Sequence, residues 1–98
     1  MISELQDEAR EKAFRDLTEW DYDQKRDAIT RHFQFTDFKT AFAFMTQVAQ
    51  AAEEQDHHPE WFNVYNKVEV LLTTHDCQGL SSRDIRLAKT MNELFAGN

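Results

Sequence analysis

The 98-residue sequence contains few residues that cross-link, bend or break a chain: one cysteine, one proline and two glycines. The single cysteine, Cys77, excludes an internal disulfide framework and is compatible with a reducing compartment. With only two glycines, the sequence contains no P-loop motif, no GxGxxG dinucleotide-binding motif and no GxSxG nucleophile motif. No apolar run approaches membrane-spanning length, and the N-terminus lacks a basic segment followed by an apolar one. We therefore expect a cytoplasmic protein without membrane contact, nuclear as well if its source is a eukaryote.

Positive charge is also scarce, with 11 Lys and Arg against 18 Asp and Glu and a formal net charge of −7 at pH 7. Direct binding of nucleic acid is not expected, because it needs a basic face that neutralises phosphates. The length suits a single domain over residues 1–98. A hydrophobic share of 41%, with eight Phe and two Trp, can form a thin core.

Hydrophobic periodicity predicts helices and strands in the order α-β-β-α-β-β-α. Ser3 with Gln6, and Ser81 with Asp84, have the spacing of capping boxes at the starts of the first and last helices. Antiparallel strands with helices on one face predict an α+β two-layer sandwich around a four-stranded sheet. The approximate bounds of the seven elements are residues 4–17, 19–23, 27–35, 37–55, 61–65, 67–74 and 81–97.

The second helix has two apolar stripes. Its predicted core face is an uninterrupted 3.6-residue pattern of Phe38, Ala41, Phe42, Met45, Val48, Ala49 and Ala52. Phe44 lies off this pattern, and with Ala43, Gln47 and Ala51 it predicts a low-charge surface for self-association. Leu71, apolar on the outer face of the last strand, also indicates cover by another subunit.

The second strand carries a histidine that we expect to have no role. Ile29, Phe33 and Phe35 share its inner face with Arg31, whose aliphatic stem must then be buried. His32 falls on the opposite, solvent-facing side.

The stretch Glu53–Asn66 is the richest in reactive side chains. Pro59 biases His58 toward an extended backbone, in which adjacent side chains point to opposite sides. His57 and His58 therefore cannot easily ligate one ion, whereas one can face a pocket while the other orients it. His75 ends the strand that pairs with the one after His58, so a hairpin brings it into the same neighbourhood.

Residues of these types serve three kinds of chemistry. A zinc site needs three or four convergent ligands, but His57, His58, His75 and Cys77 have neither CxxC nor HxxxH spacing, so we expect no metal. A nucleophilic cysteine needs a low-pKa thiolate, which the neighbouring charge of Asp76 opposes. General acid–base catalysis by histidine remains, because imidazole gives and takes protons near neutral pH.

Seven residues at fixed, long separations form a recognisable pattern: Glu53-x3-His57-His58-Pro59-x5-Tyr65-x9-His75-x8-Asp84. It resembles the signature of the pterin-4a-carbinolamine dehydratases, a family also known as the dimerisation cofactor of a liver homeodomain transcription factor. The segments Trp61–Val68 and Thr74–Cys77 look like family sequence as well.

This resemblance implies dehydration of 4a-hydroxytetrahydrobiopterin to quinonoid dihydrobiopterin, which recycles the cofactor of aromatic amino-acid hydroxylases and needs no cofactor of its own. It implies that His58 and His75 touch the pterin and that His57 lies beside the leaving hydroxyl. Asp84 is implied to be catalytic, to cap the last helix, or to do both by orienting a histidine.

The resemblance also implies substrate contacts and partners. Trp61 would offer an apolar wall for the flat pterin, and Glu53 would hold the corner before the histidines. A homodimer or homotetramer is implied, and an aromatic amino-acid hydroxylase is a further expected partner. An alternative function is that of a coactivator that binds the dimerisation helices of a homeodomain factor through the second helix. The implied pterin-binding residues are Asp56, His57, His58, Trp61, Thr73, Thr74, His75 and Asp76.

Overall fold

A computed structural model describes residues 2–97 of the chain. Within that range the element order is the predicted α-β-β-α-β-β-α, with a short 3₁₀ turn over His75–Cys77 before the last helix. The predicted α+β fold is therefore confirmed. The bounds are α1 Asp7–Asp16, β1 Asp21–Asp23, β2 Ala28–Gln34, α2 Phe38–Gln55, β3 Glu60–Val64, β4 Lys67–Leu72 and α3 Ser82–Ala96.

The strands form one antiparallel sheet in the order β1-β2-β4-β3. In the central pair Ile29 lies opposite Leu72 and Phe33 opposite Val68, and all four side chains are buried on the inner face. In the β3–β4 hairpin Glu60 lies opposite Leu71. These registers bring the start of β2, the start of β3 and the end of β4 together at one end of the sheet.

Aromatic rings from three elements meet over the inner face of the sheet. The ring centroid of Phe33 on β2 lies 4.8 Å from that of Phe44 on α2 and 5.1 Å from that of Phe95 on α3. Arg31 is half-buried against the same rings, with its guanidinium carbon 4.4 Å from the Phe33 centroid, and its Nη1 donates to Asn92 Oδ1 at 2.6 Å. Burial of such large rings is the main stabilising contribution to this core.

The predicted core face of α2 was wrong in part. Phe44 is fully buried, whereas Phe38 and Phe42 are 46% and 53% exposed. Both apolar stripes of this helix have a helical period, so periodicity alone does not show which one is buried. The choice is made by contacts with the sheet, where Phe44 packs on Phe33 and on Phe35 at a centroid distance of 5.1 Å.

The N-terminal elements are shorter than predicted. Gln6 occupies the N-cap of α1 without capping it through its side chain; instead its Nε2 donates to the Glu4 carbonyl at 3.2 Å. The expected Ser3–Gln6 capping box is therefore wrong. Trp20 precedes β1 rather than forming part of it, and its Nε1 donates to Asn92 Oδ1 at 2.9 Å.

Two phenylalanine truncations test which face of α2 is buried. Phe44→Ala removes a fully buried ring and should lower the free energy of unfolding by about 3–5 kcal/mol. Phe42→Ala is the matched control and should change it by less than about 0.5 kcal/mol, because its ring is largely solvated. Denaturant unfolding at the lowest usable protein concentration measures both changes. Equal losses in the two variants would contradict the assignment of the faces.

Candidate active site

A polar pocket of about 190 Å³ lies at the end of the sheet where β3 begins and β4 ends. The α2–β3 connection forms one wall, the segment after β4 forms the other, and the first turn of α3 closes the base. The three histidines that were expected to converge all face this pocket. Its lining residues are Asp56, His57, His58, Thr73, Thr74, His75, Asp76 and Arg83.

The first wall begins where α2 ends abruptly. Asp56 has a left-handed backbone, with φ 51° and ψ 45°. The N–H of Asp56 donates to the Glu53 carbonyl at 3.2 Å, and the N–H of His57 donates to the Ala52 carbonyl at 3.0 Å. This pair of bonds is a Schellman motif, which usually has glycine at the left-handed position. The sharp turn frees the chain from the helix just before the two adjacent histidines.

His57 is the buried histidine of the pocket, with 8% of its surface exposed. Its Nε2 lies 2.5 Å from Oδ1 of Asp84, which is fully buried. The other carboxylate oxygen, Oδ2, accepts from the Thr74 hydroxyl at 2.7 Å and from the Ser81 N–H at 2.9 Å. With Asp84 as a carboxylate, which only accepts, the donor in this bond is the Nε2–H group of His57. Nδ1 is then the ring nitrogen that is not bonded to Asp84.

Asp84 also caps α3. The Ser81 hydroxyl accepts from the backbone N–H of Asp84, and also from that of Arg83, while the Ser81 N–H donates to the Asp84 side chain, so the predicted capping box is present. The hydroxyls of Thr74 and Ser81 lie 2.6 Å apart and complete the buried network. Asp84 therefore caps the helix, as one of its expected roles requires, and it also contacts a histidine.

The other two histidines are largely exposed, at 59% for His58 and 82% for His75. Nε2 of His58 lies 2.5 Å from Glu53 Oε2. Nε2 of His75 lies 3.8 Å from Glu60 Oε2. Arg26 binds Glu60 through two hydrogen bonds of 2.8 and 2.7 Å, which lower the pKa of this carboxyl below its usual value. One imidazole is thus fixed by buried contacts, while two remain open to solvent.

Two residues differ from expectation. Arg83 lines the pocket but carried no recognisable signal in the sequence beyond its position beside Asp84. Trp61 is not brought to this pocket: it lies opposite Val70 in the β3–β4 pair and packs, half-buried, against the hydrophobic core. The alternation of β3 turns its side chain toward the helical layer rather than toward the histidines.

Cys77 lies next to the pocket wall, in surroundings that favour the protonated thiol over the thiolate. Its Sγ–H group is 3.3 Å from the Gly79 carbonyl, and burial raises the pKa of the thiol above its usual value.

Within residues 2–97, no group of three or more His, Cys, Asp or Glu side chains is arranged to hold a metal ion. Over the same range, no helix combines the length and the apolar character needed to cross a membrane.

The chain is thus a small α+β protein whose polar pocket is lined by three histidines. The family model described as Pterin 4 alpha carbinolamine dehydratase matches residues 3–94. A protein of Rhizorhabdus wittichii, provisionally named a pterin-4-alpha-carbinolamine dehydratase, is 57% identical over 93 residues, or 95% of this chain and 96% of that protein. A Rhodopseudomonas palustris protein with the same provisional name is 53% identical and covers 98% of this chain and 95% of its own length.

The fold is also similar to the crystal structure of a transcriptional coactivator/pterin dehydratase from Brucella melitensis. That comparison gives a TM-score of 0.88 at 48% identity and covers 93% of this chain and 97% of the other. The chain belongs to the pterin-4-alpha-carbinolamine dehydratase family, as its sequence signature predicted.

The buried network can be tested by comparing two aspartates of the same site. Asp84→Ala leaves the donors of Thr74 and Ser81 without their acceptor, and should lower the free energy of unfolding by about 3 kcal/mol or more. Asp76→Ala removes an exposed carboxylate from the same pocket and should leave stability nearly unchanged. Denaturant unfolding at neutral pH measures both. A small loss for Asp84→Ala would show that the network is not formed as described.

Proposed function

We propose that this chain dehydrates 4a-hydroxytetrahydrobiopterin, a pterin-4a-carbinolamine, to quinonoid dihydrobiopterin and water. The observation that carries the proposal is that His57, His58 and His75 line one polar pocket in a member of this dehydratase family. The reaction would recycle the tetrahydrobiopterin cofactor of aromatic amino-acid hydroxylases. We propose a cytoplasmic location, for which the single cysteine of the sequence is suited.

The reaction requires proton transfer at two positions. The N5 lone pair forms a double bond to C4a, the C4a–O bond breaks, and the departing hydroxide leaves as water after taking a proton from an acid. A base removes the proton from N5, so the atoms balance without any change of oxidation state. Both groups work best when they titrate near the working pH, which imidazole does. We propose that the three histidines provide both groups.

His57 is proposed to lie beside the leaving hydroxyl. Its Nε2 is engaged by Asp84, so Nδ1 is the atom available for proton transfer. A buried carboxylate in this position holds the ring orientation and stabilises the imidazolium, whose Nδ1–H group gives its proton to the leaving hydroxyl and leaves the ring neutral. Asp84 therefore contributes to catalysis through His57, in addition to capping α3.

His58 and His75 are proposed to contact the pterin ring, because their side chains are exposed and can be reached by a ligand. The polar 2-amino-4-oxo edge of the pterin would bind Asp56 and the segment Thr73–Asp76, since carboxylates and backbone carbonyls accept from the amino group and backbone N–H groups donate to the oxo group. Trp61 has no part in this proposal, because it packs on the core instead of lining the pocket.

Histidine substitutions test this mechanism. His57→Ala, His58→Ala and His75→Ala should each slow dehydration, by up to about 10²–10⁴-fold for an unshared acid–base group and by less where the other histidines compensate. His58→Ala and His75→Ala should also weaken binding of 7,8-dihydrobiopterin. His57→Ala should lower mainly the turnover rate, because a contact made in the transition state alone leaves ground-state binding unchanged.

The measurement is stopped-flow decay of the carbinolamine formed in situ by a hydroxylase, corrected for the uncatalysed rate. His32→Ala is the control, because this histidine lies on the outer face of the sheet with 74% of its side chain exposed. Activity should also survive exhaustive chelation of this protein, with the chelator removed before the hydroxylase is added. If all three pocket variants were folded and as active as the wild type, the site would not be the one described.

A second, protein-binding function is favoured by one feature of α2. Phe38 and Phe42 form an exposed aromatic pair, with ring centroids 5.6 Å apart. This pair replaces Phe44 as the centre of the self-association surface that the sequence analysis expected. Clustered exposed aromatics are typical of protein interfaces. We propose that this face joins chains into a homodimer or homotetramer, and that it could bind dimerisation helices of a homeodomain factor where such a partner exists.

Light scattering at micromolar concentration tests the association. The wild type should show more than one chain per particle, and Phe42→Glu should reduce the mass because it places a charge within the apolar contact. Phe14→Glu on α1, a partly exposed phenylalanine outside the surface, is the matched control and should leave the mass unchanged. A monomeric wild type would refute the proposed association.

A further inference from the structure

Asp27, which lies outside the family signature, occupies a central position beside the pocket. It ends the turn between β1 and β2 with a left-handed backbone, φ 48°. Arg10 donates to both of its carboxylate oxygens at 2.7 Å, and the Tyr22 hydroxyl donates to Oδ1 at 2.7 Å. The side chains of Asp27 and Arg10 are only 20% and 15% exposed. The hydrogen bonds from Arg10 hold the pKa of Asp27 well below its usual range, so the carboxylate is ionised at neutral pH.

The same residue contacts both ends of the segment that forms the second wall of the pocket. The Thr73 hydroxyl donates to the Asp27 carbonyl at 3.0 Å, and the Leu80 N–H donates to Asp27 Oδ2 at 3.2 Å. Gly79 lies so close to the Asp27 side chain that a Cβ atom at position 79 would be 2.2 Å from Asp27 Oδ2.

Within this segment the chain has little apolar support. Residues 73–79 read Thr-Thr-His-Asp-Cys-Gln-Gly and contain no Val, Leu, Ile, Met, Phe, Tyr or Trp. The segment is closed by a pair of hydrogen bonds between the backbones of Thr74 and Gly79, at 2.9 and 3.2 Å. Leu80, at the end of the segment, is fully buried in the hydrophobic core. The residues before it are placed mainly by polar contacts, from Asp84 to Thr74 and from Asp27 to Thr73 and to the Leu80 N–H.

We propose that Asp27 is a positioning residue for the pterin pocket. Held by Arg10, it anchors residues 73–80 so that Thr73, Thr74, His75 and Asp76 keep the geometry of the binding wall. The consequence for pterin binding rests on the proposed function, whereas the anchoring itself does not. Support of this kind matters because displacement of a contact group by about 1 Å can cost on the order of 10²-fold in rate.

The first test is Asp27→Asn, which keeps the size of the side chain and its tolerance of a left-handed backbone but removes the charge. Amide hydrogen exchange of Thr74 and Gly79 should become about tenfold faster, the factor expected from loss of about 1.4 kcal/mol of local stability. Exchange in the central β2–β4 ladder should change much less. The dissociation constant of 7,8-dihydrobiopterin should rise about tenfold, with a smaller change in kcat.

Asp16→Asn is the matched control. Asp16 is also a carboxylate paired with two cations, with Lys12 at 2.8 Å and Lys89 at 3.5 Å, but it lies on α1 away from the pocket. The same chemical change there should alter neither the exchange of Thr74 and Gly79 nor the affinity for 7,8-dihydrobiopterin.

A second test uses the close contact between Gly79 and Asp27. Gly79→Ala should weaken 7,8-dihydrobiopterin binding in the wild-type background, because the new Cβ displaces the carboxylate or the segment. In an Asp27→Gly background, which removes the carboxylate and allows the left-handed backbone, Gly79→Ala should add little further loss. Such non-additivity is expected only if the two residues act through one contact.

The inference would be overturned if Asp27→Asn left the exchange of Thr74 and Gly79 unchanged. It would also be overturned if exchange accelerated equally across the β2–β4 ladder, which would indicate a general loss of stability, or if local exchange accelerated without any change in 7,8-dihydrobiopterin affinity. A wild-type protein that neither binds 7,8-dihydrobiopterin nor dehydrates the carbinolamine would refute the proposed function instead. The exchange pattern would still decide whether Asp27 positions the segment.

Discussion

The buried carboxylate of Asp84 is the contact on which both the local fold and the pocket depend. It joins three segments, because it receives hydrogen bonds from His57 after α2, from Thr74 after β4 and from Ser81 before α3. A buried charge is costly unless all its donors are in place. The network that starts α3 therefore also sets the orientation of the His57 ring. A change at the start of the helix should disturb the ring, and a change at the ring should disturb the helix.

A second carboxylate supports the pocket from the outside. Asp84 holds the segment after β4 through Thr74. Asp27, which is paired with Arg10, contacts the same segment at Thr73 and Leu80. Between these anchors the chain presents polar side chains and an exposed histidine to the pocket. The hydrophobic core of Phe33, Phe44 and Phe95 fixes the layers, whereas the geometry of the site depends on hydrogen bonds at the end of the sheet.

Most of the features that were predicted correctly repeat regularly or lie close in the chain, although the equally local Ser3–Gln6 capping box is absent. Alternation in the strands, the spacing of Ser81 and Asp84, and the hairpin that brings His75 toward His58 each have a local pattern, and each is found in the structure. The buried face of α2 could not be predicted, because aromatic residues lie on both stripes and only contact with the sheet distinguishes them. The bond from Leu80 to Asp27 joins residues 53 positions apart, for which no local pattern exists.

The proposed mechanism requires that Asp84 fix the His57 ring so that Nδ1 is the atom for proton transfer. Nitrogen-15 NMR of the imidazole, recorded at a pH where the ring is neutral, tests this most directly. The neutral ring should hold its proton on Nε2, with a hydrogen-bonded shift and slow exchange with water, and Nδ1 should be unprotonated. A proton found on Nδ1, or a ring that averages rapidly between the two tautomers, would contradict it.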